Sequence, residues 1–178
     1  PIYLKEYNLA KERLALDEFL YLRSIFENLK SEFKNKNKGP MYKFDDLEIN
    51  NFISELPFKL TDSQINSYQE ILDDLTNSFP MKRLLQGDVG SGKTVVSAIA
   101  IYAVVKSGYQ VAFMAPTEVL AEQHLKSISE FLKYSDIDIY FLSSSVKDRD
   151  SIMESISTGK SGLYIGTHAL IQEKVLFS

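Results

Sequence analysis

Residues 87–94 read GDVGSGKT, with Gly87 and Gly92 five positions apart and a lysine and a threonine directly after. The spacing fits G-x-x-x-x-G-K-[ST], a pattern built to hold phosphate. Glycines let consecutive backbone N–H groups turn inward and form an anion-binding concavity. A helix opening at Lys93 would aim its positive dipole end at the same point. Lys93 can then reach β- and γ-phosphates, and the Thr94 hydroxyl can ligate Mg²⁺. A ligand-free glycine turn would not require Lys93 and Thr94 immediately after the last glycine. Gly87, Asp88, Val89, Gly90, Ser91, Gly92, Lys93 and Thr94 are therefore expected to cradle ATP with Mg²⁺, with Lys93 and Thr94 acting on the reacting phosphates.

Such a loop works only between a strand and a helix. RLLQ, 83–86, is the expected strand, and the nearly apolar TVVSAIAIYAVVKSG, 94–108, is the expected helix, closing on Gly108. Downstream the pattern alternates: strand 110–115, helix 117–134, strand 138–143, helix 148–157, strand 162–167. Strands separated by helices of this length predict right-handed βαβ units and a parallel sheet. Upstream, 62–79 reads as an amphipathic helix with Ile65, Tyr68, Leu72, Leu75 and Phe79 on one face. Residues 10–34 form another, with Leu16, Phe19, Leu22, Phe26, Leu29 and Phe33 as its stripe. It is expected to brace the following domain, because three heptads are too few for a coiled coil. The polar run KNKNKGP, 34–40, breaks it and divides the chain into a helical segment 1–40 and an α/β segment 41–178.

Composition narrows the class without naming a partner. The chain has 178 residues, 44% apolar and 25% charged, an ordinary globular mix. It contains no cysteine, which fits a reducing cytoplasm. No run of 18 apolar residues occurs, and the scattered charges of PIYLKEYNLAKERL do not read as a signal peptide. The net charge is −4, split as +2 over residues 1–40 and −6 over the remainder. A basic excess would favour nucleic acid; its absence leaves that question to motifs.

Four further stretches supply them: FKLTDSQ at 58–64, APTEVLAEQH at 115–124, GTHALIQ at 166–172 and AKERLALDEFLYL at 10–22. Together with LLQGDVGSGKT they resemble superfamily 2 helicases, most closely the branched-DNA helicases of bacteria, from end to end. The Glu-x-Leu-Ala-Glu-Gln run at 118–123 and Ala169-Leu170 favour that group over the transcription-repair coupling translocases, which stay the alternative together with a non-helicase P-loop nucleotide-binding protein. A switch GTPase should carry Asn-Lys-x-Asp, and none occurs.

The resemblance implies an incomplete P-loop NTPase (RecA-like) sheet flanked by helices and preceded by a long helix. It implies a cytoplasmic, monomeric parent enzyme, an ATP-dependent helicase acting on Holliday junctions and stalled forks in recombination and repair. Residues 1–40 would link a wedge domain to the motor, and 41–178 would begin its ATP-binding lobe. Gln64 would read the adenine edge with Phe58 or a neighbouring aromatic stacking on the base, although Thr61-Asp62-Ser63-Gln64 also fits a helix capping box and Phe58 also fits a core position. Pro116, Thr117 and Glu118 would hold phosphates of one strand of branched double-stranded DNA, and Gly166, Thr167 and His168 would form another DNA-contact motif. Thr117 is an expected N-cap in either case. A third contact motif falls at Ser143, Ser144 and Ser145, where serine replaces the family's middle glycine. These loops are expected on one face, at the carboxyl ends of parallel strands. His124 reads as a packing histidine. The Asp-Glu pair that orients the attacking water in this family does not occur after GTHAL within the 178 residues. The sequence thus predicts a fragment that binds nucleotide and does not turn it over.

Overall fold

The computed structural model describes residues 2–36, 38–143, 149–171 and 177. The chain divides into two compact units, Pro1–Pro40 with Ser78–Pro80, and Met41–Asn77 with Met81–Ser178.

The first unit is one helix, α1 (Ile2–Lys36), longer toward its start than the apolar stripe predicts. Leu16, Phe19, Leu22, Phe26 and Leu29 are all exposed along it. Beyond the helix, the Gly39 N–H donates to the Ser78 carbonyl at 2.9 Å. A Cβ on Gly39 would press on the backbone of Pro80.

The second unit begins with α2 (Asp46–Ser54), an element that sequence periodicity did not reveal. Its signals are local: Asp45 caps the Leu47 N–H, Asp46 and Glu48 sit in the first turn, and Ile49 and Phe52 are buried three residues apart. Next comes α3 (Asp62–Leu75), which stops at Thr76 rather than reaching Phe79. Then follow α4 (Lys93–Lys106), β1 (Gln110–Met114), α5 (Glu118–Phe131), β2 (Ile139–Leu142), α6 (Arg149–Ser157) and β3 (Gly162–Gly166). A short 3-10 helix, His168–Ile171, closes the series and was not expected.

The sheet is parallel with strand order β1-β3-β2. In the middle, β3 pairs Ile165 with Phe113 on one side and Phe141 on the other. All five of its residues are buried, as a strand covered on both faces should be. The helix α4 is buried nearly all round, from Val95 to Val105, which accounts for its almost unbroken apolar sequence. One cluster joins Phe52, Leu72, Ile99 and Ile128, from four helices, to Ile165 of the central strand; the stacked rings of Phe52 and Tyr102 lie 4.4 Å apart within it. A smaller cluster under α6 holds Leu142, Ile152, Ile156 and Tyr164.

One expected strand is missing. Residues 83–86 form no strand, and Leu84 is 88% exposed. A strand exists only where a neighbour supplies the other half of its hydrogen-bond ladder. Among the described residues nothing pairs with this segment. It is held instead by Arg83, which donates to Asp74 and Glu70 of α3. Those carboxylates, Asp74 first, raise the guanidinium's already high pKa.

Candidate nucleotide site and strand-end loops

The phosphate-loop motif sits directly before a helix, as expected, but residues 83–86 on its other side form no strand. Gly92 is the N-cap of α4 with φ +83°, the left-handed region that only glycine adopts freely. Gly90 is also left-handed, at φ +82°. The Lys93 ammonium folds back over the loop and donates to the carbonyls of Gly87, at 2.8 Å, and Asp88, at 2.7 Å. The Ser91 N–H closes a turn onto the Asp88 carbonyl at 3.1 Å. Val89, at the tip, is fully exposed.

Gln64 does two jobs at once. Its side-chain oxygen accepts from the Thr61 N–H at 2.9 Å while Thr61 Oγ1 accepts from the Gln64 N–H at 3.3 Å, so the capping box is complete. Its amide nitrogen also donates to the Ser91 carbonyl at 2.9 Å, which ties the start of α3 to the phosphate loop. An amide has two donor hydrogens and two acceptor lone pairs, so one of each remains for a ligand.

A Cβ on Gly92 would collide with the Gln64 side-chain nitrogen. Gly92→Ala is therefore expected to break the bridge to Ser91 and to force a left-handed alanine, at a cost of about 1–2 kcal/mol. Affinity for Mg·ADP should fall about tenfold in a calorimetric titration while the fold survives. Undiminished affinity would show that the loop tolerates the methyl group.

A cavity of about 440 Å³ connects these parts, lined by Gly90, Gly92, Lys93 and Thr94, by Gln64 and Phe58, and by Val95, Ser127 and Phe131. Six of the residues expected at a nucleotide thus share one space. Phe58 is 44% exposed rather than core. Ser127 and Phe131 come from α5, a helix whose sequence pattern shows only packing, and no motif could have found them.

The strands β1 and β3 run in parallel with Met114 opposite Gly166, and the Ala115 N–H donates to the Gly166 carbonyl at 2.8 Å. The segments beginning at Pro116 and Thr167 therefore leave the sheet at the same, carboxyl, ends of neighbouring parallel strands. Thr117 caps α5 by accepting from the Leu120 N–H at 3.3 Å. Gly166 must be glycine because a Cβ there would run into the Leu142 carbonyl of β2. Ser143 is buried at the end of β2, whereas Ser144 and Ser145 lie outside the described residues. His124 packs on Phe113, ring centroids 5.0 Å apart. Among the described residues no cluster of metal-ligating side chains occurs, and no helix is long and apolar enough to cross a membrane.

A parallel sheet with a glycine-rich phosphate loop opening a buried helix defines an incomplete RecA-like α/β domain. Residues 61–177 match the DEAD/DEAH box helicase model, and the chain belongs to that family. It is 42% identical to the ATP-dependent DNA helicase RecG of Bacillus subtilis over 171 residues, 95% of this chain and 25% of that protein. With RecG of Aquifex aeolicus it shares 45% over 172 residues, 96% of this chain and 22% of that protein. The chain thus spans about a quarter of the length of the curated relatives it matches. It superposes on the structure of RecG bound to a three-way DNA junction with a TM-score of 0.82 at 41% identity, covering 93% of this chain and 23% of that one. The UvsW helicase of bacteriophage T4, at TM-score 0.52 and 14% identity over 76% of this chain and 46% of that one, shares the fold alone.

Proposed function

We propose that this chain is the nucleotide-binding part of an ATP-dependent DNA helicase of RecG type, which processes branched DNA in recombination and repair. The observation that carries the reading is the single cavity shared by the phosphate loop, Gln64 and Phe58. In it Lys93 meets the β- and γ-phosphates, Thr94 ligates Mg²⁺, Gln64 offers its remaining donor and acceptor to the adenine edge, and Phe58 stacks on the base. Residues 1–40 act as the helical linker between a wedge domain and the motor, and 41–178 form the first part of the ATP-binding lobe. The test is a calorimetric titration with Mg·ADP, in which saturable heat must depend on Lys93.

Thr117 and Thr167, with their neighbouring N–H groups, supply donors for a DNA backbone at the shared sheet edge. Donors of this kind position phosphates without releasing many counterions. With a net charge of −4 the chain should bind a three-way DNA junction weakly at physiological salt, with a dissociation constant above about 10 µM. The plot of log affinity against log salt should have a slope shallower than about two. Fluorescence anisotropy showing submicromolar binding with a steep slope would rule this reading out.

A further inference from the structure

The cavity is lined by two chemically distinct sets of residues. One is polar, made by the loop glycines, Lys93 and Thr94; the other is aromatic, made by Phe58 and Phe131. Phe58 precedes the cap of α3 and Phe131 is the last residue of α5, so separate elements bring the two rings together. Their centroids lie 5.9 Å apart with planes at 85°, an edge-to-face pair. That arrangement suits the ring quadrupoles and fixes both side chains. It also leaves aromatic surface on the cavity, since Phe58 stays 44% exposed and Phe131 is only half-buried. Ser127 lies one turn earlier on the same face of α5 and lines the same space; its hydroxyl donates to the Gln123 carbonyl at 3.0 Å.

We infer that Phe131 is a base-positioning residue: with Phe58 it forms an aromatic corner that receives the base of a nucleotide whose phosphates lie in the 87–94 loop. The inference rests on the phosphate-loop reading above and adds to it a wall contributed by α5. A flat heteroaromatic base offers a π-face to such a corner, and base–aromatic stacking does not depend on hydrogen-bond readout. The contribution of Phe131 must then appear with a ligand that carries a base and vanish with one that carries phosphates alone.

The experiment compares Mg·ADP with Mg·pyrophosphate by calorimetry on the full chain. Phe131→Ala should weaken ADP about tenfold and leave pyrophosphate unchanged. Equal ADP affinity in variant and wild type overturns the proposal. So does an equal loss for both ligands in a variant that melts normally, because that would place the effect in the loop. Should Phe131→Ala fail to fold, Phe131→Trp decides. The chain contains no tryptophan, so the introduced indole reports alone. Its emission should change on saturation with ADP and stay constant with pyrophosphate; an unchanged signal at saturating ADP overturns the proposal. If instead Lys93→Ala binds ADP as the wild type does, the phosphate-loop reading itself has failed, an outcome separable from every one above.

Discussion

Lys93→Ala is expected to weaken Mg·ADP binding by roughly 30- to 150-fold, about 2–3 kcal/mol, the size of a lost charge-assisted contact to phosphate. The Lys93 ammonium already faces the loop interior, where it donates to the Gly87 and Asp88 carbonyls. It has three donor hydrogens, so these two bonds leave one for an arriving oxygen without displacing the side chain. The loop is thus organised around the charge that phosphate needs. Alanine removes that charge and leaves two carbonyls facing the same space, which repels an anion further. The fold should be spared, because α4 is anchored by its buried residues Val95 to Val105 and not by its first turn. Melting should shift by no more than a few degrees. Calorimetry showing affinity within about threefold of wild type would mean that the loop does not hold phosphate through Lys93.

The largest loss of stability should come from Ile165→Ala, at about 2–5 kcal/mol. Ile165 is completely buried in the central strand, paired with Phe113 in β1 and Phe141 in β2, so no neighbour can collapse into the vacated volume without moving a strand. A domain with about 5–15 kcal/mol in total would be left near its limit. Because Gly166 follows directly, a shift of β3 would also disturb the hydrogen bond from the Ala115 N–H to the Gly166 carbonyl. Denaturant midpoints measure the effect. Ile171→Ala is the control: that side chain is 64% exposed, and its change should stay within about 0.5 kcal/mol. A loss for Ile165→Ala no greater than the control would contradict the central placement of β3.

The two substitutions probe features of different legibility. Lys93 was identifiable from eight consecutive residues, because phosphate binding at a helix start needs particular residue types at fixed short spacing and little else. The same locality made Thr61 and Thr117 readable as caps, since a cap is completed within three residues. Strand–helix alternation likewise disclosed the parallel sheet, and the motif set disclosed the helicase family. Three expectations failed: α2 was not foreseen, nor was the short 3-10 helix after β3, and the strand foreseen at 83–86 did not form. In the first two the apolar period is too short to register, and in the third the local pattern is satisfied but the ladder needs a partner that local sequence does not contain.

What the sequence determined by itself is therefore what contiguous residues carry: the glycine-rich motif with its lysine and threonine, the caps, and the alternation of helices and strands from α4 to β3. What only the tertiary structure decided is which distant segments share a space. Strand order β1-β3-β2 put the carboxyl end of β1 beside that of β3, with Met114 opposite Gly166. The packing of α3 and α5 around the start of α4 put Gln64 on the Ser91 carbonyl and Phe131 against Phe58. These pairings depend on long-range contacts whose closure depends on the whole core, so no window of neighbouring residues encodes them.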